Sequence, residues 1–140
     1  MIDIEELSVK YRSKEDEFLA VHNFSLRLDK GDICAVIGPS GCGKSTVLYV
    51  LSGIITKYEG KVLIDGKPVN PKLQRIGLIP QNYGLLEWAD VYNNAILGLD
   101  IKRSSTKECQ PYIEHILDRM GLTAFKTKYP LSLSGGQRQR

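Results

Sequence analysis

The sequence predicts an α/β fold in which antiparallel strands lead into a strand–loop–helix unit and then into a helical second half. Three observations point there. Apolar residues alternate loosely along residues 2–11 and 18–28. A partly β-branched apolar run runs straight into a glycine-rich loop at residue 38. From about Tyr83 the apolar spacing changes from strand-like to helical. Period and flanking residues, rather than composition, carry each assignment.

In the first strand pair, Phe24, Leu26 and Leu28 fall on one face, opposite Ser25, Arg27 and Asp29. Between the two strands Arg12-Ser13-Lys14-Glu15-Asp16-Glu17 reads as a charged, solvated turn. Lys30-Gly31 turns the chain into Ile33-Cys34-Ala35-Val36-Ile37, predicted as a buried strand. Apolar residues at Val47, Leu48, Val50, Leu51, Ile54 and Ile55 predict the helix that follows. Gly53 and Gly60 punctuate the connection to a strand over residues 61–65, and Asp65-Gly66 is a hairpin signal. One more apolar run over 75–80 ends at Pro80-Gln81.

Beyond it, Val91, Ala95, Ile96 and Leu99 form one helical face, and Ile113, Ile116, Leu117 and Met120 another, with Gly121 placed as a C-terminal cap. The second helix has two candidate starts: a capping box at Ser105-Thr106-Lys107-Glu108, or Pro111 as first helical residue.

With 140 residues, 42% of them hydrophobic and 25% charged, the chain reads as one ordinary globular domain. The net charge of +3 is too mild to argue for a nucleic-acid partner. Three cysteines at unrelated spacings (Cys34, Cys42, Cys109) speak against a disulfide framework or a zinc site and for a reducing, cytoplasmic compartment. The acidic start Met1-Ile2-Asp3-Ile4-Glu5-Glu6 lacks the apolar segment of a leader, and no apolar run is long enough to span a bilayer.

The loop itself is Gly38-Pro39-Ser40-Gly41-Cys42-Gly43-Lys44-Ser45-Thr46. Gly, four residues, then Gly-Lys-Ser, between a strand and a helix, is the spacing and context of a P-loop. Glycines let successive backbone N–H groups turn inward around phosphate oxygens, and the helix start adds unpaired N–H groups and a positive dipole end. Lys44 is expected to reach the β- and γ-phosphates, and the Ser45 hydroxyl to ligate Mg²⁺. The predicted ligand is a nucleoside triphosphate.

Leu133-Ser134-Gly135-Gly136-Gln137 resembles the signature of ATP-binding cassette (ABC) ATPases. The order Tyr11, residues 38–46, Gln81, helical region, signature is similar to that family from end to end. The resemblance implies a P-loop NTPase core with an N-terminal antiparallel β-subdomain and a helical insert. Residues 1–81 would be β-subdomain and P-loop core, 82–134 the insert, and 133–140 the signature motif. ATP and Mg²⁺ are the implied cofactors.

By resemblance, Tyr11 stacks on adenine, although a tyrosine at a strand end serves equally to fill the core of the β region. Gln81 reaches Mg²⁺ and the attacking water and senses the membrane partner; otherwise it is a capping amide after Pro80. Lys44 and Gln81 are thus the catalytic candidates, and Ser45 and Gln81 the metal ligands. Ser134, Gly135, Gly136 and Gln137 act in trans, on ATP held by a second subunit of the same kind. The implied partners are that second subunit, a transmembrane permease and, indirectly, a solute-binding protein, at the inner face of the cell membrane and without nucleic acid.

Within the family, Tyr83-Gly84-Leu85-Leu86-Glu87-Trp88 resembles the ATPases of nitrate, sulfonate and taurine importers, with Asn94 in keeping. Glu87 stands where proline is usual, and Ala89-Asp90 departs from the pattern. Trp88 reads as an exposed anchor for the permease, or as a surface anchor of the insert itself.

Hydrolysis also needs a carboxylate at the Mg²⁺ shell and a group to orient water. Asp65 falls in a hairpin turn, and His22 and His115 lie away from the P-loop in this reading. The family's catalytic carboxylates and switch histidine follow the signature. The 140 residues are therefore expected to be the first part of a longer cassette, inactive alone, with strand 33–37 deprived of partners. The alternatives are a non-hydrolysing nucleotide-binding fragment and a soluble ABC ATPase of DNA repair or translation.

Overall fold

The computed structural model describes residues 1–12, 16–101 and 106–140 and divides into two units, Met1–Leu78 and Ile79–Arg140. In the first unit a four-stranded antiparallel sheet has the order β2-β1-β3-β4, built from β1 (Ile2–Arg12), β2 (Glu17–Leu28), β3 (Glu59–Ile64) and β4 (Lys67–Pro68). The charged turn between β1 and β2 includes residues 13–15, which lie outside the described residues.

Strict alternation cannot put Ile4 and Leu7 on the same face of a strand, yet both are buried. A bulge reconciles them. Ile4 pairs with Leu26 and Leu7 with Phe24, so two residues of β1 oppose one of β2, and Glu6 adopts φ 51°. The displaced Glu6 N–H donates to Ser25 Oγ at 2.9 Å. A compensating irregularity in β2 has Asn23 at φ 47°, its N–H donating to Ser8 Oγ at 2.9 Å. Beyond the bulge Leu7 and Val9 face the core, with Val21 opposite Val9.

The helix α1 (Lys44–Leu51) packs Val47 and Val50 against this face, in one cluster with Ile4, Leu7, Val9, Val21 and Val62. Such a cluster holds the unit by removing apolar area from water, at about 25 cal/mol per Å². Asp65 and Gly66, both at positive φ (51° and 73°), turn β3 into β4 as the sequence predicts. The Met1 ammonium, hydrogen-bonded to the Asp65 carboxylate at 2.7 Å, holds that carboxyl below its ordinary range.

Residues 33–37 depart from the predicted buried strand. They join no ladder, Ile33 is 100% exposed and Ile37 89%. A parallel strand is stable only where neighbours pair its backbone and cover its faces. No described residue does either for this run, so Cys34 is exposed as well.

In the second unit α2 (Val91–Ile101) and α3 (Thr106–Arg119) meet through Val91, Ile96, Ile113 and Leu117, joined by Leu122 and Leu133. Ala95 and Met120, predicted on these faces, are exposed. Asp90 caps α2, its Oδ1 accepting from the Asn93 N–H at 2.8 Å. The N–H groups of Val91 and Tyr92 donate to the Lys128 and Lys126 carbonyls, each at 3.0 Å.

Pro111 lies inside α3 and does not start it. The buried face of Ile113 and Leu117 outweighs the one missing backbone bond, a cost of about 3 kcal/mol. The alternative capping box begins at Ser105, outside the described residues. Past Gly121 the chain closes α3 with the Gly121 and Leu122 N–H groups on the Asp118 and Leu117 carbonyls, both at 2.8 Å, as the sequence predicts for a glycine cap. No described helix is long and apolar enough to cross a membrane.

Candidate functional site

Helix α1 begins at a glycine rather than at a capping side chain. Gly43 is its N-cap, at φ 91° and ψ 3°, with no side-chain hydrogen bond and no acidic residue in the first turn. The N–H groups of Lys44, Ser45 and Thr46 therefore keep their capacity for an external anion. Gly43 is demanded twice over. A Cβ there would lie 2.4 Å from the Ala20 carbonyl oxygen of β2 and 2.9 Å from Val21. The floor of the loop is thus the backbone of β2, a contact that no feature of the sequence around Ala20 announces.

Lys44 folds back across this loop. Its ammonium donates to the carbonyls of Gly38 at 2.8 Å and Pro39 at 2.6 Å and lies 3.5 Å from Cys42 Sγ. Positive charge, free N–H groups and glycines without side-chain bulk come together on one exposed loop, the arrangement that binds phosphate oxygens. Residues 38–42 and Ser45 are exposed, whereas Thr46 is buried. Ser45 offers a hard oxygen on the first turn. No group of three or more His, Cys, Asp or Glu converges among the described residues. These residues fit Mg²⁺, which keeps waters and phosphate oxygens in its shell and needs few protein ligands.

Tyr11, at the end of β1, is brought to the same helix: its hydroxyl lies 3.3 Å from Thr46 Oγ1. The tyrosine is 43% exposed, so it does not fill the core as the sequence alone allowed.

The remaining predicted residues belong to the second unit. Gln81 is exposed and lies within a turn in which the Tyr83 N–H donates to the Pro80 carbonyl at 2.9 Å. Trp88 is 76% exposed, while Tyr83, Leu85 and Leu86 are half-buried. Leu85 lines an apolar cavity of ≈ 300 Å³ with Ile116 and Met120. Asp90, a departure from the expected pattern, has a helix-capping role that its place before an apolar periodic run could have revealed.

Ser134 and Gln137 form a capping box on α4 (Gly135–Gln139). Ser134 Oγ accepts from the Gln137 N–H at 3.3 Å, and Gln137 Oε1 accepts from the Ser134 N–H at 2.8 Å. Gly135 and Gly136 stay exposed on the outer side of that turn. His22 and His115 are exposed on β2 and α3.

A glycine loop on an uncapped helix start, with its lysine laid across it and an aromatic side chain on the first turn, defines a P-loop nucleotide-binding protein. The profile described as ABC transporter matches residues 21–140, and the chain belongs to that family. The taurine import ATP-binding protein TauB of Yersinia pestis bv. Antiqua is 35% identical over 100% of this chain and 53% of its own length. The sulfate/thiosulfate import ATP-binding protein CysA of Acinetobacter baylyi is 34% identical over 96% of this chain and 41% of its own. Among solved structures, the dimeric post-hydrolysis state of the ATP-binding cassette MJ0796, bound to ADP and Pi, superposes with a TM-score of 0.84. Its identity is 27%, over 99% of this chain and 65% of that one. The chain spans about half the length of the curated relatives it matches.

Proposed function

We propose that this sequence is the nucleotide-binding part of the ATPase subunit of an ABC importer. The observation that carries the reading is the loop 38–46, in which an uncapped helix start lies beside a Lys44 ammonium held on the Gly38 and Pro39 carbonyls. Tyr11 would stack on the adenine, and residues 38–46 would hold the phosphates. Ser45 would ligate Mg²⁺ in a shell made mainly of water and phosphate oxygen. Mg²⁺ would supply charge neutralisation of the transferred phosphate.

Ser134, Gly135, Gly136 and Gln137 would contact the nucleotide of a second copy, and the neighbourhood of Trp88 would meet a membrane permease at the inner face of the cell membrane. The proposed solute class is nitrate, sulfonate or taurine, supported by the Tyr83-Gly84-Leu85-Leu86-Glu87-Trp88 stretch and by the resemblance to a taurine importer's ATPase. The 140 residues by themselves would bind nucleotide without steady turnover, because positioning of water and charge accounts for most of such a rate.

The test is titration of a fluorescent ATP analogue into the full-length protein with Mg²⁺. Lys44→Ala is expected to weaken binding at least about tenfold, as expected for losing a hydrogen bond to a charged group. Equal affinity in the variant and the wild type would overturn the reading.

A further inference from the structure

We propose that the Tyr11 hydroxyl is a positioning group for the phosphate loop. Through Thr46 it would fix the first turn of α1, so that the base and phosphate ends of the site act as one coupled contact. This rests on the nucleotide-binding reading above and adds a residue-level mechanism to it.

Thr46 is 8% exposed and its hydroxyl faces the Tyr11 hydroxyl at 3.3 Å, across 35 positions of sequence. A helical threonine ordinarily chooses between rotamers, one of which returns its Oγ1 to a carbonyl of the preceding turn. Here the hydroxyl is committed to Tyr11 instead, on the turn whose N–H groups remain uncapped. The bond also limits the tyrosine. A ring pinned at its hydroxyl and still 43% exposed has already lost much of the rotamer freedom that stacking would otherwise cost. A tyrosine needed only for stacking has no use for its hydroxyl. One tied to Thr46 transmits any loss of that hydroxyl to the phosphate end.

Inorganic tripolyphosphate separates these roles, because it has no base to stack. Its affinity and that of ATP are measured by calorimetry on the full-length protein, with a thermal melt of each variant. Tyr11→Phe keeps the ring, and is expected to weaken tripolyphosphate about three- to tenfold, the range for one hydrogen bond. Thr46→Val should do the same, Thr46→Ser should stay near wild type, and the Tyr11→Phe/Thr46→Val double variant should be no weaker than the weaker single one.

Wild-type tripolyphosphate affinity in Tyr11→Phe overturns the proposal, whether or not the melt is lowered. The tyrosine then serves by its ring or by packing alone. Additive losses in the double variant overturn it as well. If Lys44→Ala leaves tripolyphosphate affinity intact, the loop is not the phosphate site and both readings fall together.

Discussion

The side-chain amide of Asn94 engages both backbone groups of Leu86. Its Oδ1 accepts from the Leu86 N–H at 2.8 Å, and its Nδ2 donates to the Leu86 carbonyl at 3.1 Å. Nδ2 also reaches the carbonyls of Ala89 at 2.9 Å and Asp90 at 3.0 Å. One side chain of α2 thereby holds the segment that carries Trp88. Asn94→Ala is expected to lower stability by about 2–3 kcal/mol, since several partly buried backbone groups lose partners together. Denaturant unfolding followed by Trp88 fluorescence measures this, and a midpoint equal to wild type would refute it.

Two loop glycines should respond differently to alanine. At Gly43 the added methyl meets the Ala20 carbonyl at 2.4 Å on a backbone at φ 91°. A loss of about 2–4 kcal/mol is expected from strain and overpacking together. At Gly41, φ is 82° but nothing lies within 4 Å, so only the conformational cost of about 1–2 kcal/mol applies. Thermal melts without nucleotide rank the two; equal destabilisation would mean that β2 does not support the loop.

Cys42 and Cys34 are both exposed, so burial cannot protect Cys34 as the predicted strand would have. What distinguishes them is place: Cys42 lies inside the loop, with the Lys44 ammonium 3.5 Å from its Sγ. Alkylation followed by mass spectrometry should show ATP slowing the labelling of Cys42 while leaving Cys34 unchanged. No protection by ATP, or equal protection at both positions, would contradict this.

Trp88, at 76% exposure, contributes little to the packing of its own unit. Trp88→Ala in the full-length protein should leave the melt and ATP affinity nearly unchanged. It should weaken attachment to a permease by about 1–3 kcal/mol, the range of an interface anchor. A lowered melting temperature with normal permease capture per folded molecule would make Trp88 structural.

How far the sequence could be read depended on whether the deciding interaction was local. The Asp65-Gly66 hairpin and the Gly121 cap are visible because a few adjacent residues set their backbone angles. The loop 38–46 is visible for the same reason. The run 33–37 was legible in part: it is deprived of partners among the described residues, as expected, but it is not the buried strand predicted, because β-branched residues express a preference for burial in a sheet without supplying a neighbour. The bulge at Glu6 carries no glycine to announce it, and its partner Ser25 is recognisable only once the strands are paired. The bond between Tyr11 and Thr46 was out of reach for the simplest reason: it joins elements far apart in the chain.

That bulge has a consequence for which changes in chain length the protein can absorb. Leu7 and Val9 share the core face with Ile4 only because one extra residue is accommodated between Ile4 and Leu7. Removing Glu6 alone would leave Ile4 and Leu7 two positions apart, still on one face of a regular strand. Removing Glu5 and Glu6 together would make them adjacent and exchange inside for outside along the rest of β1 or along its start. In the first case Tyr11 would turn away from Thr46 although neither residue had been altered. Deletion scanning of β1 should therefore show nucleotide affinity that largely survives the loss of one residue and fails for two, an odd–even pattern that point substitutions could never reveal.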